Sequence, residues 1–210
     1  MQLVFEQIRA GGDRNFAYLI GDREAKVAVA VDPSFEPRRL HERATAQGLA
    51  IAAVLCTHGH PDHTHGVAEL VALSGAREAT PPLPLDPRWR LGAGRFEIRA
   101  LHVPGHTEDH LLFWLPALKI ALTGDFLFVG KVGGTSGEAA ARAEWDSLQR
   151  LLRELPPDTT IWPGHDYGCR PSSTLALERL GNPFLRVPDF ESFLRLKSDW
   201  PALKPRHGLV

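Results

Sequence analysis

The chain has 210 residues, with 24 Lys and Arg against 25 Asp and Glu, a formal net charge of −1, and 43% hydrophobic side chains. Those values are ordinary for a globular protein and lack the basic excess of a nucleic-acid binder. The start, M-Q-L-V-F-E-Q-I, has neither a basic n-region nor a long apolar h-region, and no apolar run nears the ~18 residues of a membrane span.

Short strands come first. Residues 2–9 and 16–21 read as strands around the turn G-G-D-R-N, and 26–31 (K-V-A-V-A-V) as a third stopped by Asp32-Pro33. Helical spacing runs from Phe35 to Gln47 and ends at Gly48. Residues 51–56 form a continuous apolar run of strand length, as a buried strand does. His65 to Ser74 can form a helix ending at Gly75. The Pro- and Gly-rich stretch 80–94 reads as a connector. Strands resume at 95–102, 110–115 and 119–123, followed by a flexible loop at 130–137. A strong helix is expected from Ala139 to Glu154, a strand at Thr160–Trp162, and short helices near 173–180 and 189–197. The expectation is a layered α/β domain over 1–210, with 173–210 a short helical C-terminal extension. Two cysteines, Cys56 and Cys169, cannot build a disulfide framework and point to a cytoplasmic location.

The chemistry concentrates at residues 57–63, T-H-G-H-P-D-H. In extended chain His58 and His60 point the same way, because side chains repeat every two residues. Pro61 forces a turn, after which Asp62 and His63 can face a second point nearby. Three further candidates sit at strand ends beside glycines: His106 in H-V-P-G-H-T, Asp125 in T-G-D and His165 in W-P-G-H-D. Counting ligands gives one site of His58, His60 and His106, and a second of Asp62, His63 and His165. Asp125 can bridge them. Imidazole and carboxylate ligands suit Zn, Fe or Mn. His110 is expected to be structural or to support a ligand, His65 to open a helix, and Asp32 to order the metal loop or simply to make a turn. The tryptophans at 89, 114, 145, 162 and 200 read as core or rim packing.

T-H-G-H-P-D-H-x-x-G, followed by P-G-H-T, T-G-D and P-G-H-D over residues 16–167, resembles the metallo-β-lactamase superfamily. The resemblance implies an αββα sandwich with two divalent metal ions, zinc foremost, at one edge of the paired sheets. The similar branches are glyoxalase II (hydroxyacylglutathione hydrolase) and persulfide dioxygenase. The first implies hydrolysis of a small thioester or ester by a metal-bridged hydroxide, with Asp62 or Asp125 orienting the nucleophile. The second implies one iron on His58, His106 and Asp125. A non-catalytic metal-binding module is a third reading, which open coordination disfavours. The chain departs from the dioxygenase pattern at Gly133-Gly134-Thr135, where that family usually shows G-R-T. Gly134 thus stands where relatives place a basic anchor for glutathione, Lys131 is its candidate substitute, and Tyr167 beside His165 could reach bound substrate.

Overall fold

The computed structural model describes residues 3–79, 90–93 and 96–203, and of 90–93 only the backbone. Five strands form one sheet in spatial order along the chain: β1 (Leu3–Arg9), β2 (Phe16–Asp22), β3 (Val27–Val31), β4 (Ala50–Leu55) and β5 (Arg77–Ala79). The second sheet has the order β13-β12-β9-β8-β7-β6. Its members are β6 (Arg90–Ala93), β7 (Phe96–His102), β8 (Leu111–Leu115), β9 (Ile120–Gly124), β12 (Thr160–Pro163) and β13 (Ser173–Thr174). A small hairpin, β10 (Leu127–Phe128) with β11 (Lys131–Val132), follows β9.

Strand periodicity explains the layering. On β2, Phe16, Tyr18 and Ile20 face the other sheet, while Ala17 and Leu19 face the helices. On β3 and β4 the same alternation puts Val29, Val31 and Leu55 inward and Ala28, Ala30 and Val54 outward. The second sheet answers with Ile98, Leu111, Phe113 and Leu122 inward, and with Leu112 and Ala121 outward. Strands buried on both faces read as continuous apolar runs, which is why 51–56 showed no alternation. The outer layers are helical. α1 (Pro37–Ala46) and α3 (Val67–Ser74) cover the first sheet through Leu40, Val67 and Leu70. Against the second lie α4 (Gly137–Glu154), α6 (Pro183–Arg186) and α7 (Phe190–Leu203), through Leu148, Phe184 and Phe193. The αββα sandwich is therefore present as expected. No helix among the described residues is long and apolar enough to cross a membrane.

The differences from the sequence expectations lie in short elements. α1 starts at Pro37 rather than Phe35, since Pro fits the first helical turn. Pro61 opens a four-residue helix, α2 (Pro61–Thr64), and His65 ends it rather than opening α3. The connector region holds β6, and β5 precedes it; residues 80–89 and 94, with Trp89, lie outside the described residues. The loop 130–137 begins with β11. Residues 173–174 pair with β12 before α5 (Leu175–Gly181) begins, so the C-terminal segment also adds a strand to the second sheet. Trp114, Trp145, Trp162 and Trp200 pack against the hydrophobic clusters, as expected.

One buried ion pair joins the second helical layer. Glu144 of α4, with no exposed surface, accepts a short hydrogen bond from Lys197 of α7. Burial pushes the Glu144 carboxyl up from its ordinary 4.5 to about 7, against the pull of Lys197. A carboxyl that holds its proton more tightly when folded makes the folded state lose stability as pH rises between those values. Denaturant unfolding of the wild type should therefore show a stability loss between pH 4.5 and 7 that is diminished in Glu144→Gln. An identical slope in both proteins would mean that Glu144 titrates normally.

Candidate metal centre

The expected ligands leave the C-terminal ends of β4, β7, β9 and β12, which run in directions that bring those ends to one edge of the sandwich. Two backbone hydrogen bonds close that edge across the sheets. Phe16 N–H donates to Gly164 O at 2.8 Å, and Leu111 N–H to Thr57 O at 2.7 Å. The approach is tight: a Cβ at Gly164 would lie 2.4 Å from Asp125 Oδ1 and 2.7 Å from His63 Cε1, so P-G-H-D requires glycine there.

All seven side chains come together, in two groups. His58 Nε2 lies 3.0 Å from His60 Nδ1, and His106 Nε2 lies 3.1 Å from the same nitrogen. His63 Nε2 and His165 Nε2 are 3.3 Å apart, and Asp62 Oδ2 is 3.6 and 3.3 Å from them. Asp125 stands between the groups. Its Oδ2 is 3.3 Å from His165 Nε2 and 3.7 Å from His106 Nε2, and its Oδ1 is 3.4 Å from His63 Nε2. Ligand atoms in each of three overlapping triplets, His58/His60/His106, His58/His63/Asp125 and Asp62/His63/His165, fall within 4.8 Å of one another.

The outer hydrogen bonds fix which nitrogen faces inward. His63 Nδ1 meets Asp32 Oδ2 at 3.0 Å, His106 Nδ1 meets Gly134 O at 2.8 Å, and His165 Nδ1 meets Asp13 O at 2.8 Å. Thr57 Oγ1 donates to Asp32 Oδ2 at 2.8 Å and can therefore accept from His58 Nδ1 at 3.1 Å. With each Nδ1 turned outward, the Nε2 atoms of His58, His63, His106 and His165 face inward. Ring nitrogens of His58, His60 and His106 at 3.0–3.1 Å, and of His63 and His165 at 3.3 Å, converge on one point in each group, where a shared positive charge, a proton or a metal ion, is stabilised. Asp125 Oδ1 is moreover buried with no hydrogen-bond partner among the described residues, an arrangement that metal coordination satisfies. The donor set fits a divalent ion in each group.

Charge favours the same outcome. Burial would raise Asp125, but His165 and His63 outweigh it and hold the carboxyl well below the usual range. Asp62 is also lowered, chiefly by its hydrogen bond with His165 and then by Asn15. Burial pushes His110 down to about 3. At His165 the carboxylates of Asp125 and Asp62 overcome burial and lift the imidazole to about 9. Ionised carboxylates thus create a place where positive charge is stabilised.

Asn15 and Ser34 support the site without a sequence motif, and His110, Tyr167, Lys131 and Gly134, singled out from the sequence, lie around it. Asn15 Nδ2–H donates to Asp62 Oδ2 at 3.0 Å and to Asp62 O at 3.2 Å, while Ser34 Oγ–H donates to Asp62 O. His110 is fully buried, stacks on His58 with centroids 4.8 Å apart, and accepts the Asp125 N–H at 3.2 Å. Tyr167 stacks on His165 at 4.6 Å and 3°. Lys131 Nζ lies 4.1 Å from the Tyr167 ring centre and Arg14 Cζ 4.8 Å from it. Gly134 offers His106 its carbonyl, and the space where its Cβ would be is open.

Asp32 is the best-connected of these supports, since it also accepts the Thr57 N–H at 2.7 Å. Asp32→Asn should lower zinc affinity about tenfold to hundredfold, the usual effect of removing an outer partner of a histidine ligand. Asn tolerates the positive φ of 50° at this position. A competitive chelator titration measures the change, and wild-type affinity would take Asp32 out of the centre's support.

Comparison with known proteins identifies the family. The family model of the metallo-beta-lactamase superfamily matches residues 10–100 and 74–165. The hydroxyacylglutathione hydrolase of Cereibacter sphaeroides is 36% identical over 192 residues, covering 80% of this chain and 72% of that protein. The mitochondrial persulfide dioxygenase ETHE1 of Homo sapiens is 31% identical, over 91% of this chain and 79% of its own. The crystal structure of ETHE1 from Myxococcus xanthus superposes with a TM-score of 0.85 at 28% identity, covering 94% and 91% of the two chains. The chain belongs to the metallo-beta-lactamase superfamily, in the branch that resembles glyoxalase II and persulfide dioxygenase.

Proposed function

We propose that the chain is a cytoplasmic, zinc-dependent hydrolase of the glyoxalase II type that cleaves a small thioester or ester at a dinuclear centre. The observation that carries the reading is the pairing of two complete ligand groups around one shared carboxylate, Asp125. His58, His60 and His106 would hold one ion and Asp62, His63 and His165 the other. When bound, the ions supply Lewis acidity toward water and toward the substrate carbonyl.

The remaining steps fall to the chain itself. Asp62 is the more exposed carboxylate and is held ionised. Its part is to orient the attacking water and take up its proton. Asn15 and Ser34 fix its backbone and one carboxylate oxygen, so that oxygen cannot swing away. Asp125, buried and ionised, keeps the two histidine groups in register. The Tyr167 ring and Lys131 sit beside His165, where they can pack against the acyl or thiol part of a substrate and neutralise an anionic tail. The unpaired state of Cys56 and Cys169 accords with a reducing compartment.

Similarity to the human persulfide dioxygenase ETHE1 and to the ETHE1 structure from Myxococcus xanthus favours a second reading, a mononuclear iron dioxygenase using His58, His106 and Asp125. Metal analysis of protein purified without added metal separates the two. About two zinc per chain with thioester turnover fits the hydrolase, and about one iron with persulfide-dependent oxygen uptake fits the dioxygenase.

Under the hydrolase reading, chelation should abolish thioester turnover and added zinc should restore it. Asp125→Ala should lose several orders of magnitude, because the shared carboxylate serves both ions. Normal turnover in this variant, at unchanged metal content, would remove Asp125 from the mechanism.

Substrate choice gives a further test. A Cβ at Gly134 meets nothing within 4 Å, so Gly134→Arg should be tolerated there and improve KM for a glutathione thioester, and Lys131→Ala should worsen it. A charge-assisted contact of ~1.5–3 kcal/mol corresponds to roughly tenfold to hundredfold in KM when ground and transition states bind alike. If neither variant moves KM beyond about twofold, the 130–137 loop does not select the substrate.

A further inference from the structure

One face of α4 carries the strand end and loop that lead to His106. Glu144, Ser147 and Arg150, spaced by three residues, present neighbouring side chains on the helix. Arg150 donates to His102 O, and Ser147 Oγ–H donates to Pro104 O at 3.1 Å. Gly105 lies directly on Glu144: its φ is +152°, and a Cβ there would come within 2.3 Å of the Glu144 Cβ. The backbone of His106 is therefore seated on this helix face.

The ring of His106 is held from the other side. Its Nδ1 bonds to Gly134 O, and the preceding carbonyl, Gly133 O, accepts from Lys197 Nζ at 2.7 Å. The same ammonium is bonded to Glu144. Both segments that set the position of His106 thus meet at one ion pair, contributed by α4 and α7. Glu144 Oε1 is buried with no hydrogen-bond partner among the described residues. A buried pair with an unsatisfied oxygen is poor value for stability, since apolar residues of similar size generally do as well or better.

We propose that Glu144 and Lys197 are positioning residues for His106: their contact locks the 104–106 loop and the 133–134 loop into the arrangement that aims His106 Nε2 at the first ion. This rests on the dinuclear reading above. It assigns to the C-terminal helix a role in metal binding, although α7 contributes no ligand.

The test is zinc titration of metal-free protein against a chromophoric chelator, with thermal melting of the same metal-free samples and cobalt substitution for the visible spectrum. The Glu144→Leu/Lys197→Met double variant replaces the pair with apolar side chains and should melt within about 5 °C of wild type, as such replacements cost little. One zinc should nevertheless weaken by about tenfold to hundredfold, the other staying within about twofold, and the cobalt spectrum should change. Glu144→Gln, nearly isosteric, should weaken the same zinc and guards against a folding defect in the double variant. Lys197→Arg keeps a cation on Gly133 O and should hold affinity within about threefold of wild type. Two zinc ions bound with wild-type affinities in the double variant and in Glu144→Gln would overturn the proposal. So would equal weakening of both ions, which is what general loosening produces. A wild type that binds fewer than two ions would overturn the dinuclear reading, and this proposal with it.

Discussion

The carboxylate of Asp32 is the constraint on which the metal loop depends. It sits at the end of β3, 1% exposed, with a backbone φ of 50° that aims it under the following strand end. An ionised group so deeply placed is tolerable only when its oxygens are bonded. Thr57 N–H, Thr57 Oγ–H and His63 Nδ1 supply those bonds at 2.7, 2.8 and 3.0 Å. The same three contacts fix the first residue of the T-H-G-H-P-D-H turn and the orientation of His63. Through the Thr57 hydroxyl they also set the direction of the His58 ring. One side chain, contributed by a neighbouring strand, thus decides the geometry of both histidine groups. A metal ion would have only to fill a place already shaped.

The cluster of candidate ligands was legible because its signal is one of residue type at strand ends. Three imidazoles and a carboxylate in six residues, then single His or Asp residues beside glycine, leave little else that the chemistry could be. The sandwich was legible for a related reason: strands such as 51–56, buried on both faces, are long enough to show as apolar runs. The illegible parts have physical causes too. β5, β10, β11 and β13 are two or three residues long, too short for any period to appear. The bonds to His106 and His165 come from the carbonyls of Gly134 and Asp13, and a main-chain oxygen has no residue-type signature. Glu144 and Lys197 lie on helices whose charged positions ordinarily face solvent, and only the packing of α7 on α4 buries them. Asn15 falls in a turn whose composition said only that the chain reverses.

Beside His165 the centre carries a fixed aromatic ring flanked by charge. Tyr167 is held by its hydroxyl, which donates to Asp13 Oδ2 at 2.7 Å, so the ring stacked on His165 is not free to swing. Two cations, Lys131 and Arg14, flank that fixed ring. Arg14 comes from the β1–β2 turn and Lys131 from the small β10–β11 hairpin, so the flanking charge is drawn from two separate parts of the fold. With no side chain at position 134, the positive charge on this side of the centre is concentrated near His165.

The division of the ligands between the sheets has a mechanical consequence. His58, His60, Asp62 and His63 belong to the first sheet's β4 end, whereas His106, Asp125 and His165 belong to the second. An ion shared by His60 and His106 would tie points 46 residues apart along the chain, and one shared by His63 and His165 would tie points 102 apart. Closures of that length restrict the unfolded chain in the way a long-loop disulfide does, where the entropic stabilisation is of order 4 kcal/mol. Bound ions would then double as removable cross-links, and the reach of each sheet away from the other would be set by the occupancy of the site.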